Sequence, residues 1–217
     1  MDAVQQLLLM LRGVSTTLSI SILSFLIGLA FGLPLAFIRV YGGKLPQALV
    51  DGFEKVFRGI PELVLMLLFF FGVGFFLRFP FKDAFFTATF ALGLRSAANQ
   101  SQIFRGAIRG VGEEQMVAAS SVGLSKLQSI VHVMMPQVLI FSTPGLGSEY
   151  SLLVKDSSYA FLIGVLDIME IADRIRKITS DTLTPFLGAA FLYVLLTFPL
   201  ATWLDTWGSR QKKKLGL

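Results

Sequence analysis

The chain of 217 residues is 54% hydrophobic and only 15% charged, whereas an average soluble domain carries about 25% charged residues. This composition excludes an ordinary soluble domain and predicts an all-α membrane protein. The absence of cysteine excludes disulfides and thiolate metal sites, and the single histidine, His132, is too little for a histidine-based metal centre. The net charge of +5 requires no nucleic acid, because the basic run at residues 210–214 is explained as an anchor on anionic membrane lipid.

Uncharged apolar runs predict five transmembrane helices, because about 20 apolar residues in a helix span the hydrocarbon core. In chain order the predicted spans are Thr16–Ile38, Leu63–Leu77, Ala84–Phe104, Pro136–Val154 and Pro185–Leu204. The first run lacks the short, basic and cleavable pattern of a secretory signal and is interpreted as a retained helix. Residues 1–217 together are predicted to form one transmembrane domain.

The basic residues predict the orientation of this bundle. Lys and Arg concentrate on the cytoplasmic side of short loops, and an external N-terminus assigns 12 of the 19 basic residues to that side. The C-terminus is then cytoplasmic, and residues 105–136 form a cytoplasmic loop between the third and fourth spans.

The stretch "VAASSVGLSKLQSIVHVMMPQ", residues 117–137, predicts two short helices in that loop. Gly123 can adopt the left-handed conformation that ends the first helix, and Ser125 with Gln128 has the spacing of a capping box for the second. Pro136 marks the point where the chain turns into the membrane. Apolar residues recur at helical spacing at Leu124, Leu127, Ile130, Val131 and Met134.

Two interpretations of this helical hairpin are open. One is an interfacial helix that lies on the lipid surface. The other is a docking element, because a compact pair of helices with an apolar stripe fits a groove on a soluble partner.

The same stretch resembles the cytoplasmic "EAA" loop of ABC importer permeases. The match runs through Ala118, Ala119, Gly123, Val133 and Pro136, while Val117 occupies the usual glutamate position, for which nearby Glu114 can substitute. The resemblance implies that the loop docks on an ATPase subunit. The implied coupling residues are Glu114, Val117, Ala118, Ala119, Gly123, Leu124, Leu127 and Pro136.

Further segments narrow the resemblance. "RGIPELVLMLLFFFG", starting at Arg58, is similar to the entry of the second span in permeases for polar amino acids, and "IFRGAIRGVGEEQ" and "VKDSSYA" are similar to other parts of that group. The chain therefore resembles the membrane permease subunit of a polar amino acid ABC importer with the type I importer fold. The resemblance implies a multi-pass protein of the cytoplasmic (inner) membrane.

The chain carries no phosphate-binding loop, since "YGGKLP" lacks the required spacing and hydroxyl residue. It is therefore not expected to be an enzyme or to hold a cofactor. By resemblance, ATP and Mg are bound by two cytoplasmic ATP-binding subunits. The resemblance further implies a second permease subunit, identical or homologous, and an external solute-binding protein that delivers an amino acid.

Ionisable groups inside spans usually face a bundle interior or a wet cavity. Glu149 and Asp156 lie seven residues apart, so they share a helix face roughly 10 Å apart along the axis. Such a pair fits a basic amino acid, with Asn99 and Ser148 as hydrogen-bonding groups and Arg95 facing the substrate carboxylate. The alternative is a structural ion pair between Arg95 and Glu149.

Two other function classes are weighed against transport. A non-transporting scaffold would use the hairpin only to recruit a soluble partner, and it would tolerate substitution of Glu149 or Asp156. An intramembrane hydrolase is poorly supported, because no nucleophile and base occur at a suggestive spacing. The pattern favours a basic amino acid as cargo, with glutamine left open, and does not decide between a homodimer and a heterodimer.

Overall fold

A computed structural model describes residues 2–215; residues 1, 216 and 217 of the predicted domain lie outside it. Every regular element in the described part of the chain is helical. The main helices are α1 Ala3–Tyr41, α2 Lys44–Gly59, α3 Glu62–Leu77, α4 Ala84–Val111, α5 Glu114–Ser121, α6 Lys126–Ser129, α7 Met135–Asp156, α8 Ile168–Thr179 and α9 Leu183–Leu215. A π-helical segment, Leu68–Val73, lies within α3, another, Ile130–Met134, joins α6 to α7, and a 3₁₀ helix, Ser157–Ile163, follows α7.

Within residues 2–215, three helices are long and apolar enough to cross a membrane: α1, Lys126–Ile163 and Leu183–Lys214. The number rises to four if α2 and α3, which meet at a bend of 101°, form one broken span. The predicted third span corresponds to α4, whose composition is less apolar because it contains three arginines. The number of five spans stays a prediction.

Several predicted boundaries are wrong. The helix α1 extends well beyond Thr16–Ile38 at both ends, and α9 continues past Leu204 to Leu215. The cause is that an apolar run marks only the part of a helix that fits the hydrocarbon core, while intrahelical hydrogen bonds continue wherever the backbone permits.

The sequence analysis also missed α2. This helix is strongly amphipathic and buries Val50 and Glu54, so it is not recognised by apolar length. It ends at Gly59, and the next residue, Ile60, has an extended backbone, as expected for a residue that precedes a proline. Pro61 is the N-cap of α3, and the axes of α2 and α3 differ by 101° across this break.

The helices α1 and α4 form the closest-packed pair of the bundle and run in the same direction. Ser24 donates its hydroxyl to the Thr89 carbonyl at 3.0 Å. A Cβ added at Gly28 would overlap the Gln100 amide, and a Cβ at Gly32 would lie 2.9 Å from the Ala97 carbonyl oxygen. The Gly-x-x-x-Gly spacing of Gly28 and Gly32 therefore serves close helix contact.

The two ends of the bundle differ. The Tyr41 end carries the C-terminal ends of α1 and α4 together with α5 and α6, because Lys126 donates to the Tyr41 carbonyl at 3.1 Å. The Ala84 end carries the start of α4 and the helix α8. There Asp167 caps α8 by accepting a hydrogen bond from the Glu170 amide, and burial raises the pKa of Asp167 to about 7.

Two short helices, α5 and α6, occupy the region of the predicted hairpin, and the predicted change of direction at Pro136 is wrong. Gly123 has φ +86°, and Ser125 and Gln128 form the predicted capping box. The helix from Lys126 continues through the π-helical segment to Ile163, so the chain does not turn at Pro136. Pro136 lies in the first turn of α7, and the wider π turn before it tolerates the missing amide donor.

Candidate functional site

An open cavity of about 510 Å³ lies between α4 and α7. Its wall includes four of the five predicted substrate residues: Arg95, Asn99, Ser148 and Glu149. The remaining lining residues are Arg58, Gln102, Ile103, Gly145 and Leu152. The cavity wall thus combines polar and charged side chains from α2, α4 and α7 with the aliphatic side chains of Ile103 and Leu152.

Glu149 is the buried carboxylate of this cavity, with only 4% of its surface exposed. It accepts a hydrogen bond from Asn99 Nδ2 at 3.2 Å, and Asn99 Oδ1 in turn accepts one from Arg58 Nε at 3.1 Å. Both ends of the Asn99 amide are therefore used, which fixes its orientation between a cation and an anion. Among residues 2–215, Glu149 forms no ion pair, so its charge is available to a ligand.

Arg95 is held by two carboxylates at the wall of the cavity. It forms ion pairs with Glu62 of α3 and with Asp156 at the end of α7, the latter at 3.4 Å. The alternative of an Arg95–Glu149 lock is therefore wrong in its partner, because Glu62, which the sequence analysis did not consider, competes for the guanidinium. Asp156 is drawn to Arg95 and does not line the cavity.

One atom of Arg95 is unsatisfied. Its Nε is buried and has no hydrogen-bond partner in the described part of the chain. A buried donor without a partner costs about 1–3 kcal/mol, and a ligand oxygen in the cavity would relieve that cost. The prediction that Arg95 faces a substrate carboxylate is compatible with this geometry and is not tested by it.

Three residues of the site were missed as candidates: Arg58, Glu62 and Gln102. Arg58 and Glu62 flank the break at Pro61, where the chain bends by 101°. Arg58 lines the cavity, and Glu62 forms an ion pair with Arg95, which also lines it. Gln102 lines the cavity while its amide donates to Glu54 Oε2 at 3.1 Å. The sequence does contain a signal for Arg58 and Glu62, because two charged residues on either side of a proline stand directly before an apolar run.

The predicted coupling residues occupy α5, the turn after it and α6, except for Pro136, which lies in the first turn of α7. Val117 and Leu127 expose 64% and 70% of their surfaces, and Ala118 and Gly123 are also exposed. Ala119 is buried, at 4% exposure. The predicted apolar stripe therefore divides, with Leu127 outward and Met134 inward, because Met134 packs with Phe104 and Val138 in the bundle core.

The remaining predicted coupling residues differ in exposure, and Lys126 links this surface to α1. Glu114 and Pro136 are exposed, and Leu124 is half-buried. Lys126 both donates to the Tyr41 carbonyl and lies 5.6 Å from the centre of the Tyr41 ring, which anchors the start of α6 to the end of α1. In residues 2–215, no group of three or more His, Cys, Asp or Glu side chains is placed to hold a metal ion.

Comparison with known proteins agrees with this architecture. The family described as binding-protein-dependent transport system inner membrane component matches residues 14–213. The chain is 34% identical over 199 residues to the arginine ABC transporter permease ArtQ of Haemophilus influenzae, covering 87% of each chain. It is 30% identical over 197 residues to the nopaline transport system permease NocM of Agrobacterium fabrum, covering 87% of this chain and 82% of that protein.

The fold is also similar to a crystal structure of an amino acid ABC transporter with histidines. The TM-score is 0.84 at 29% identity, and the match covers 95% of this chain and 96% of the other. The resemblance predicted from the loop and span motifs is confirmed.

Proposed function

Because the chain belongs to the family of binding-protein-dependent transport system inner membrane components, we propose that it is the permease subunit of an ATP-driven importer that moves polar, preferably basic, amino acids. The observation that carries the basic preference is Glu149, a buried carboxylate without an ion-pair partner among residues 2–215 that lines the α4–α7 cavity. The similarity to an arginine permease supports the same class of cargo.

The proposed cargo is recognised by opposite charges in the cavity. A basic amino acid presents two cationic groups and one carboxylate. Glu149 attracts a cationic group, with Ser148 as a neighbouring hydroxyl, while Arg58 and the unsatisfied Nε of Arg95 are directed to the carboxylate. Asn99 lies between the two charged groups, because its amide accepts a hydrogen bond from Arg58 and donates one to Glu149. Asp156 acts through Arg95 rather than by touching cargo.

We place the Tyr41 end of the bundle in the cytoplasm and the Ala84 end outside. The distribution of charge supports this orientation, because the basic residues at the Tyr41 end outnumber those at the other end. They are Arg39, Lys44, Arg105, Arg109, Lys126, Arg210 and Lys212–Lys214. The C-terminus is then cytoplasmic, five spans are completed by counting α2–α3 and α4, and the protein lies in the inner membrane.

Energy is supplied from outside this chain. Two cytoplasmic ATP-binding subunits, which bind ATP and Mg, dock on the exposed face of α5 and α6 around Ala118 and Leu127. A second permease subunit, identical or homologous, completes the pathway, and an external solute-binding protein delivers the amino acid. Transport proceeds by alternating access, in which nucleotide-driven movement of the α5–α6 surface shifts the population between two bundle arrangements.

The test is uptake of labelled arginine, lysine, histidine, glutamine and glutamate into proteoliposomes that hold the chain with its ATPase and binding protein. We expect ATP-dependent uptake that is greater for the basic amino acids. Leu127→Asp is expected to abolish uptake while the permease itself stays folded, because a charge in an apolar groove opposes docking of the ATPase. Leu127→Met should retain uptake. Recruitment of the ATPase without uptake of any of these amino acids would favour the scaffold function instead.

A further inference from the structure

A second cavity, of about 560 Å³, lies at the Ala84 end, in the groove between α1 and α8. Its walls combine aliphatic side chains, Leu9, Ile171, Ile175 and Ile178, with two guanidinium groups, Arg12 and Arg174. On each helix these residues are spaced by three, four or seven positions and so lie on one face. We call this the α1–α8 groove.

The groove lies at the boundary between membrane and water. Arg12 directly precedes the uncharged run from Gly13 to Ile38, so it marks the polar limit of the first span. The helix α8 has 12 residues, about 18 Å in length, which is too short to cross the membrane. One apolar face packs on α1 through Ile168, Ala172 and Ile175, which holds α8 beside the start of the first span.

The charges in the groove favour an anion. Arg12 forms no ion pair with any side chain that the structure describes, whereas Arg174 donates through its Nε to Glu170 at 2.8 Å. The nearby carboxylate of Asp173 is already held by Arg176 and Lys177 at 2.7 and 2.6 Å. One uncompensated positive charge therefore remains beside an aliphatic surface, on which Ile178 exposes 77% of its area.

We propose that the α1–α8 groove binds an anionic phospholipid of the leaflet that surrounds the Ala84 end. The phosphate group contacts Arg12 and Arg174, and an acyl chain lies on Leu9, Ile171 and Ile178. A lipid fits better than an acidic protein surface, because four of these six side chains are aliphatic and the groove opens where acyl chains begin. The site is separate from the amino acid cavity, and only the name of the leaflet rests on the proposed orientation.

The test uses the purified complex in nanodiscs of phosphatidylcholine that contain a photoactivatable phosphatidylglycerol. We expect labelled peptides from residues 9–16 and 166–178, and at least about fivefold less labelling there in the double variant Arg12→Gln, Arg174→Gln. Lys82→Gln, an exposed basic residue at the same end and outside the groove, is the matched control and should label like the wild type. A photoactivatable phosphatidylcholine should label these peptides weakly in all variants.

Equal labelling by the two lipids, or unchanged labelling in the double variant, would overturn the site and make the groove an unselective lipid surface. Melting temperatures in nanodiscs of phosphatidylcholine alone verify that the double variant is folded. In that lipid, a loss of ATP hydrolysis stimulated by the binding protein would assign the two arginines to a protein partner and would equally overturn the proposal. The labelling requires no transport, so its outcome is independent of the proposed function.

Discussion

Each of the two faces of α4 brings polar groups into contact with a buried glutamate, and the two glutamates differ in their hydrogen-bond partners. On the face toward α1 and α2, Glu54 accepts hydrogen bonds from Ser101 at 2.7 Å, Gln102 at 3.1 Å and Arg105 at 3.2 Å. On the face toward α7, Glu149 accepts a hydrogen bond from Asn99, has the Ser96 hydroxyl as a second polar neighbour, and borders a cavity. Burial is almost equal, at 1% and 4% exposure.

The difference lies in the compensation of charge. Arg105 neutralises Glu54, and the backbones of α1 and α4 approach too closely at Gly32 to admit a ligand. The cation beside Glu149, Arg95, is occupied by Glu62 and Asp156. A buried charge without an ion-pair partner is costly. The proposed function therefore uses Glu149 as a binding group, whereas the ion pair with Arg105 makes Glu54 a structural one.

The largest expected effect is on the closed face. Glu54→Leu should lower the free energy of unfolding by about 3–5 kcal/mol, because it leaves the half-buried guanidinium of Arg105 without its partner. Thermal melting of the purified complex in detergent measures the loss. Glu113→Gln, which changes an exposed carboxylate, is the control and should melt within a degree or two of the wild type. Equal melting of Glu54→Leu would show that the closed face does not depend on this pair.

A pair of glycines compares the packing of the two faces. Gly32→Ala places a Cβ 2.9 Å from the Ala97 carbonyl oxygen, whereas Gly145→Ala meets the Ile103 side chain. Backbone cannot move as a side chain can, so Gly32→Ala should cost about 1–3 kcal/mol and Gly145→Ala less. Melting temperatures of both variants test the order, and Gly52→Ala, with nothing within 4 Å of the added Cβ, should be neutral or slightly stabilising. The reverse order would contradict the assignment of a closed and an open face.

The smallest expected effect is at Gln102, which belongs to both faces. Gln102→Ala removes one hydrogen bond to Glu54 but leaves Ser101 and Arg105 in place, so the loss of stability should be only about 1 kcal/mol. Ser148→Ala is the control on the cavity wall, since its hydroxyl donates to the Pro144 carbonyl of its own helix. Chemical denaturation in mixed micelles measures the free energy of unfolding of both variants. A loss as large as that of Glu54→Leu would mean that the hydrogen bonds around Glu54 act as one unit.

Much of this architecture can be predicted from the sequence. Apolar length identifies α1 and α9, the Gly28 and Gly32 spacing predicts a close helix contact, and the capping box at Ser125 predicts the start of α6. The family follows from motifs whose spacing is kept even where Val117 replaces a glutamate. These features depend on neighbours along the chain or on one helix face, which is why a single sequence contains them.

The rest depends on distant pairing. The helix α2 is amphipathic rather than apolar, so its burial of Glu54 becomes visible only when α4 supplies Ser101 and Arg105. Likewise, the sequence places Arg95 and Glu149 in neighbouring spans but does not show that Glu62 reaches Arg95 across the break at Pro61. Which carboxylate is neutralised by an arginine is decided by that tertiary competition.

The most direct test of the central claim is equilibrium binding of labelled arginine to the purified permease–ATPase complex without its binding protein, comparing wild type with Glu149→Gln. We expect saturable binding to the wild type and at least about tenfold weaker binding to the variant, since a hydrogen bond to a charged group contributes roughly 1.5–3 kcal/mol. Glutamine should compete poorly with arginine in the wild type. Equal affinity of the two proteins for arginine would contradict the account and make Glu149 a structural residue like Glu54.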